Sequence, residues 1–361
     1  MKKNRWKAMA ALAAAAVLAL SACGNSGEDG STQAAASADA GDAAAAAPTG
    51  TGEGSGEVGK SDIVIAGKSD IKTLDPMGTN DTTSSIAHRH IYSRLIEIDE
   101  NSEIVGDLAE SWEQVSDTEW KFKIHEGVKF HDGTDCTASD VKFSLERAKE
   151  MPRVKQYVEQ IDSITVEDDH NLTLHLAEPY APLLAALSHT GTSIVPEAAV
   201  TAQGDAFWEN PIGTGPMQFV EWVPNDHYSL KRFDDYFKGP GKTTSLTLRI
   251  MPEGGARTIA LETGEIDMSI SVDATDVQNV KANKELMALE KTSVSVEYLA
   301  MNCEKEPFND PLVRKAFSLA IDRNYIVEQV TQAGEIAADA WVPVSVVDAE
   351  GTSGDDFRTV G

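Results

Sequence analysis

The sequence predicts an α/β fold. Short runs in which apolar residues alternate with polar ones are typical of half-buried strands. They are interleaved with segments whose apolar residues recur every three or four positions, as in helices. Hydrophobic residues make up 41% of the 361 positions, enough for a sizeable core. Once a leader and a linker are set aside, about 300 residues remain, which favours more than one domain.

The chain opens with the features of an export signal. Four basic residues lie among the first seven, and residues 8–20 form an apolar run. That run is shorter than the roughly twenty residues that cross a membrane. The sequence Leu20-Ser21-Ala22-Cys23 follows and resembles the bacterial lipobox. We predict a signal peptide over residues 1–22 and a lipid anchor on Cys23 at the outer face of the bacterial cytoplasmic membrane. The alternative is an ordinary cleaved signal with an incidental cysteine.

A disordered linker is predicted to follow the anchor, so that residues 23–60 comprise the lipidated cysteine and the linker. Small and polar residues dominate this segment, which cannot bury enough apolar surface to offset chain entropy. The net charge of the chain is -27, and the leader contributes four positive and no negative residues, so the chain from Cys23 onward carries -31. A surface this acidic repels nucleic acid and anionic lipid headgroups. We therefore expect no nucleic-acid partner, and a folded body held off the membrane.

The first folded elements are predicted from residue 61. Residues 62–66 form a short apolar run that predicts a buried strand, and residues 86–98 predict a helix followed by a turn. Alternation over residues 120–124 predicts a half-buried strand. Thr137-Ala138-Ser139-Asp140 resembles a capping box with Asp in the fourth place. The helix that it opens places four residues on one face: Val141, Ser144, Leu145 and Ala148.

Strands and helices continue to alternate in the second half. Residues 246–250 and 294–298 show strand-like alternation, and residues 266–268 predict a further strand. A helix over residues 256–263 is predicted to end at Gly264. Asp310-Pro311 predicts the start of another helix.

Two cysteines remain after the anchor, Cys136 and Cys303. An exported pair could form a disulfide. They lie far apart in sequence and in different predicted segments, which favours two free, buried thiols.

Several stretches, in order along the chain, resemble the peptide/nickel-type solute-binding proteins of ABC importers. The signature comprises residues 108–112 (LAESW), 120–124 (WKFKI) and 127–134 (GVKFHDGT). The other matching stretches are 73–76 (TLDP), 210–216 (NPIGTGP), 261–267 (LETGEID) and 307–316 (PFNDPLVRKA).

The resemblance implies a two-lobed clamshell of the periplasmic-binding-protein type II class, with an inserted subdomain in lobe one. By analogy, residues 61–97 and 193–301 form the main subdomain and residues 98–192 the insertion. Lobe two begins in residues 302–361. Family members are longer, so lobe two is expected to be incomplete here, and its ligand anchors are not assigned.

The same resemblance implies a receptor without enzymatic activity or cofactor. It would capture di- or oligopeptides and deliver them to an ABC permease that an intracellular ATPase drives. A nickel complex or another small solute is the alternative ligand. An exported hydrolase is a remote alternative, because the sequence shows no catalytic constellation for it.

The candidate ligand contacts lie in two loops and at one crossing between lobes. The first loop follows the first strand, at the edge where α/β folds place ligands, and Asp75 or Asp81 could pair with a peptide's amino terminus. Helix capping and a tight turn are the alternatives for the two loops, and a hinge contact is the alternative at Asn302. The candidates are Asp75, Gly78, Thr79, Asn80, Asp81, Gly213, Thr214, Gly215 and Asn302.

Two other patterns are assigned to structure. His88 and His90 point about 200° apart on a helix, so they cannot easily hold one metal ion, and no metal site is predicted. His131 and Asp132, with Asp135, are explained by a turn and the helix start after it, rather than by catalysis.

Overall fold

The structure is a computed structural model, and it describes residues 61–290, 295–331 and 335–338. The predicted signal peptide and linker, with Cys23, lie outside this part of the chain, and so does Val294. The strands are β1 (Asp62–Gly67), β2 (Ile96–Ile98), β3 (Ile104–Gly106), β4 (Ala109–Ser116), β5 (Glu119–Ile124), β6 (Ile161–Val166), β7 (Asn171–Leu176), β8 (Met217–Val223), β9 (His227–Arg232), β10 (Ser245–Ile250) and β11 (Met268–Ser269).

The α-helices alternate with these strands. They are α1 (Thr82–Ile91), α2 (Ala138–Glu150), α3 (Leu183–Leu187), α4 (Glu197–Gln203), α5 (Gly254–Glu262), α6 (Ala274–Ala282), α7 (Pro311–Ala320) and α8 (Arg323–Tyr325). Short 3₁₀ helices span Lys155–Tyr157, Thr190–Thr192 and Gly204–Glu209, and a π-helix spans Ile326–Thr331. Within the described ranges, none of the helices has both the length and the apolar character of a membrane span.

The largest sheet is mixed and has the strand order β11-β1-β10-β9-β8. β1 pairs in parallel with both β10 and β11, whereas β9 is antiparallel to β10 and β8. The parallel pairing of β1 with β10 brings together segments that are nearly 180 residues apart. The N-terminal strand and the C-terminal half of the fold therefore share one sheet.

The intervening chain forms a four-stranded antiparallel sheet in the order β4-β5-β7-β6, and β2 pairs with β3. Trp120, Phe122 and Ile124 of β5 are buried, as their alternation predicts. These side chains and buried residues of the five-stranded sheet belong to one hydrophobic cluster. The subdomain boundaries proposed from the sequence are untested by this arrangement.

Local capping signals are borne out at two helices. The Asp140 carboxylate accepts hydrogen bonds from the backbone N of Thr137 (2.9 Å) and of Glu197 (3.0 Å), which ties the start of α2 to α4. The four residues predicted to share a face of α2 are all buried. Gly264 has a φ of 73° just after α5, the left-handed conformation that favours glycine at a helix end.

The predictions for the C-terminal part need correction. The described residues of the predicted strand at 294–298 form no strand, and Tyr298 is 65% exposed. None of the described strands pairs with this segment, and alternation alone does not make a strand without such a partner. Both cysteines are free as predicted, but only Cys136 is buried; Cys303 is exposed. Helix α7, which follows Cys303 in the chain, also has no buried residue.

Candidate ligand-binding site

The loop between β1 and α1 is fixed by its own side chains. Asp75 is 7% exposed, and its Oδ1 accepts a hydrogen bond from the backbone N of Met77 (3.0 Å). Arg147 binds both carboxylate oxygens of Asp75, with Nη1–Oδ1 2.9 Å and Nη2–Oδ2 2.6 Å. The guanidinium carbon of Arg147 lies 4.6 Å from the ring centroid of Trp208. A ligand amine at Asp75 would therefore compete with an arginine that is already in place.

The end of this loop caps α1. Asp81 Oδ1 accepts from the backbone N of Ser84 (3.0 Å), and its Oδ2 accepts from Thr79 Oγ1 (2.7 Å). Partial burial raises the pKa of Asp81, but the hydrogen bonds from Ser84 and Thr79 and the nearby Lys72 outweigh it and leave the pKa lowered. Asp81 is thus an anionic helix cap, and α1 begins four residues earlier than predicted because of it.

Gly78 closes the turn before this cap. Its backbone N donates to the carbonyl of Asp75 at 3.1 Å. A Cβ at this position would lie 3.3 Å from Thr73 Cγ2, so a side chain would crowd the turn.

The loop over residues 213–215 packs against the C-terminal end of α1. A Cβ on Gly213 would lie 2.2 Å from the carbonyl O of Ile91, and one on Gly215 would lie 2.4 Å from that of His90. The backbone N of Gly215 donates to Ile91 O at 2.9 Å. Thr214 is fully buried. Close backbone approach therefore explains the two glycines.

His131 holds this loop from the other side. The ring accepts from Gly213 N at Nδ1 (3.2 Å), so in the neutral form the proton is on Nε2, which donates to Gly215 O (3.0 Å). The backbone N of His131 also donates to Gly213 O (2.9 Å). Burial lowers the pKa of His131 to about 4, against the opposing effects of Gly215 and Asp132. The side chain is therefore a neutral clamp at pH 7 on the loop of residues 213–215, a contact that the predicted turn and helix start did not include.

An open recess of about 350 Å³ lies beside α1, and we call it the α1 recess. One of the predicted ligand residues, Asn80, lines it. Its walls are formed by Asn80, Thr82, Ser85, Ile86, Arg89, His189 and Thr190.

A second open recess, of about 460 Å³, lies beside His131. It carries charges of both signs, and Arg232 Nε pairs with Asp234 Oδ1 at 2.7 Å. Its lining comprises His131, Asp132, Gly133, Gln218, Lys231, Arg232, Phe233, Asp234 and Asp235. None of the predicted ligand residues lies there.

Asn302 is separate from both recesses. It is exposed, and its Oδ1 accepts from the backbone N of Glu304 at 3.0 Å, which closes a local turn. Its role as a ligand contact remains a prediction.

The histidine pair of α1 is directed to different backbone carbonyls. His88 Nε2 lies 3.0 Å from Thr73 O, and His90 Nδ1 lies 2.7 Å from Ile86 O. Burial lowers the pKa of both rings. Within the part of the chain that the structure describes, no group of three or more His, Cys, Asp or Glu side chains is placed to hold a metal ion.

Sequence reasoning missed Arg147 and the wall of the α1 recess. Thr82, Ser85 and Arg89 are spaced by three and four residues, so the sequence alone could have placed them on one helix face. His189 gave no such signal, because it reaches the recess from a segment about 100 residues away.

The chain matches the model of the bacterial extracellular solute-binding proteins, family 5 Middle, over residues 103–357. The chain belongs to this family. The family assignment predicted from the motifs is confirmed, and so is the α/β fold class.

Known proteins match this chain at moderate identity, in sequence or in structure. The glutathione-binding protein GsiB of Pectobacterium atrosepticum is 30% identical over 290 residues, which are 79% of this chain and 56% of that protein. The structure of DppA from Helicobacter pylori in complex with the peptide STSA matches with a TM-score of 0.69 and 26% identity, over 75% of this chain and 58% of that one. NikZ from Campylobacter jejuni in complex with Ni(L-His) matches with the same TM-score and identity, over 75% and 55%. The chain thus spans little more than half the length of these family 5 relatives.

Proposed function

We propose that this family 5 protein is the receptor of an ABC importer, and that it captures di- or oligopeptides outside the cytoplasmic membrane. The observation that carries the proposal is the family match over residues 103–357. The receptor binds and releases its solute without chemical turnover, and it passes the solute to a permease driven by an ATPase.

The geometry supports this function through a rigid wall beside a recess. The loop of residues 71–81, helix α1 and the loop of residues 213–215 are joined by the hydrogen bonds described above, so the backbone around the α1 recess is pre-organised. Pre-organisation reduces the ordering cost of binding. Backbone groups and short polar side chains suit a ligand whose side chains vary.

We further propose the domain and anchor assignments made from the sequence. Residues 61–97 with 193–301 form the main subdomain of lobe one, residues 98–192 form the insertion, and lobe two begins at residue 302. The two lobes close on the solute as a hinge, which requires the solute to bind the closed state better than the open state. Cys23 carries the lipid that holds the receptor at the outer face of the membrane. Palmitate labelling of cells that express the chain tests the anchor, with loss of label expected for Cys23→Ser.

A nickel complex is the second candidate ligand. The likeness to NikZ in complex with Ni(L-His) favours it. Against it, GsiB is a glutathione-binding protein, and the DppA structure contains the peptide STSA.

Native mass spectrometry of the full chain, purified in detergent from cells grown in rich medium, separates these functions. A family of added masses of peptide size, released by denaturation, is the expected result. A single adduct of nickel with a small organic ligand would replace the peptide proposal with the nickel one. Added tripeptide that is shortened over time would indicate a hydrolase, and the absence of any adduct after incubation with a peptide mixture would contradict the receptor function of this chain.

A further inference from the structure

One face of α1 presents hydrogen-bond donors to the α1 recess. Thr82, Ser85 and Arg89 lie on that face, and His189 and Thr190 also line the recess. The hydroxyls of Ser85 and Thr190 are hydrogen-bonded to each other, with an Oγ–Oγ1 distance of 2.9 Å, and Ser85 Oγ donates to the carbonyl of Asp81. These two hydroxyls therefore brace the recess.

The proton position on His189 follows from its backbone contact. Nδ1 accepts a hydrogen bond from the backbone N of Gly191 at 2.9 Å, so the neutral ring carries its proton on Nε2. Tyr157 stacks on the ring with a centroid distance of 3.8 Å and an interplanar angle of 16°, which fixes the plane of the imidazole. The His189 side chain is thus a fixed N–H donor at the wall of the recess.

The remaining donors have no partner in the described part of the chain. Arg89, Asn80 and Thr82 are exposed, and their side chains form no ion pair or hydrogen bond with the described residues. The recess lining contains no carboxylate. Two acids lie nearby: Asp81 caps α1, and Glu97 accepts from Arg94 at 3.1 Å while its charge also acts on Arg89.

The electrostatics of the recess are positive although the whole chain carries a net charge of -27. The pKa of His189 is lowered to about 4, chiefly by burial and additionally by Arg89, Arg94 and His88. The nearby positive groups therefore oppose protonation of the ring. An anion in the recess would face one unpaired guanidinium and a neutral N–H donor, with no acid in the lining to repel it.

We propose that the α1 recess binds the carboxylate of the captured solute, with Arg89 as its cationic anchor and His189 Nε2 and Thr82 Oγ1 as further donors. The planar guanidinium matches a carboxylate in two parallel hydrogen bonds, which a point charge does not. The volume of about 350 Å³ holds the carboxylate and the residue that bears it. This assignment rests on the proposed peptide function and names the group of the solute that lobe one recognises.

Calorimetry with a matched pair of probes tests the assignment. The full chain in detergent is freed of bound solute, and binding of Ala-Ala-Ala is compared with binding of its C-terminal amide at pH 7. We expect the free acid to bind at least about tenfold more tightly, because a charge-assisted hydrogen bond is stronger than a neutral one. Arg89→Gln should weaken binding of the acid by roughly 10- to 100-fold and leave binding of the amide unchanged. Arg153→Gln, at an exposed arginine outside the recess lining, is the matched control and should change neither.

The assignment is overturned if Arg89→Gln binds the acid as tightly as the unchanged protein does. It is also overturned if a variant whose circular dichroism is unaltered loses the acid and the amide equally, because the arginine would then act without recognising charge. Inorganic phosphate that competes with the acid more strongly than acetate does would replace the carboxylate by a phosphate-type oxyanion.

A second readout distinguishes failure of the recess from failure of the proposed function. The His189 Nε2 resonance should shift on addition of acetate at pH 7, and this shift should be lost in Arg89→Gln. If neither tripeptide form binds but the acetate response is present, the carboxylate site stands and the peptide function fails. If the tripeptides bind and acetate produces no response, the peptide function stands and the recess assignment fails.

Discussion

Replacing Arg147 by leucine should destabilise the fold strongly, because it leaves the Asp75 carboxylate buried without its cation. Asp75 is 7% exposed, and among the described residues its carboxylate would keep only the hydrogen bond from the backbone N of Met77. Two short charge-assisted bonds are lost, at 2.6 and 2.9 Å, together with the stacking of the guanidinium on Trp208. Removal of one partner from a buried ion pair costs about 3–5 kcal/mol. We expect about 3 kcal/mol here, because Arg147 retains 19% side-chain exposure.

Urea denaturation followed by circular dichroism measures this loss. Arg147→Leu, Asp75→Asn and the double variant form a cycle, and we expect a coupling of about 2 kcal/mol between the two positions. Arg153→Leu is the matched control and should cost less than about 0.5 kcal/mol. A coupling below about 0.3 kcal/mol would refute the assignment of Asp75 to Arg147. Peptide affinity then decides the other role of Asp75: an unchanged Kd in Asp75→Asn would mean that the carboxylate serves only the fold.

Three further outcomes are expected. Because the pKa of His131 is about 4 in the fold and about 6.5 when unfolded, the unfolded chain binds more protons between these values. The contribution of neutral His131 to the free energy of unfolding is complete above about pH 6.5 and falls by up to ~3 kcal/mol as the pH drops to 4. Urea denaturation measured at several pH values from 4 to 7 should show this decrease, and His131→Gln should make it smaller. Gly215→Ala should lower the free energy of unfolding by more than about 2 kcal/mol in the same assay, because its Cβ would lie 2.4 Å from His90 O. Gly241→Ala, which has open space around it, is the control and should cost less than about 1 kcal/mol. Equal losses would contradict the argument that residue 215 must be glycine because the two backbones lie close together. Asp140→Ala should lower stability by about 1–2 kcal/mol through the lost acceptor for Thr137 and Glu197, and an unchanged urea midpoint would show that this cap contributes nothing.

The features that the sequence predicted well are those with a local cause. The helix starts at Thr137 and Asp310 and the buried alternation around Phe122 depend on neighbours a few residues away, so composition and spacing carry the information. The family assignment also came from short stretches, since each one is a strand, turn or cap whose residues are close in sequence. The predicted strand at 294–298 failed because a strand needs a distant partner that spacing cannot supply.

The site was predicted less completely, and the reason is again the range of the contacts. The sequence directed attention to Asp75, Asp81, Gly213 and Gly215, but it did not show that Arg147 already occupies Asp75. Nor did it show that the two glycines are required by the end of α1. A polar side chain can bind a ligand only if it does not already have a hydrogen-bond or ion-pair partner in the fold. Whether it has such a partner depends on residues that are distant in sequence.

The sequence by itself determined the α/β class, the helix caps and the family of this protein, because hydrophobic period, capping and turn chemistry act over a few residues. Only the tertiary structure decided which polar groups have partners. It joined β1 to β10, placed Arg147 on Asp75, and brought Arg89 and His189 into the lining of one recess that includes no carboxylate. These contacts link segments from about 70 to 180 residues apart, and their free energy depends on burial and distance, which the order of residues does not specify.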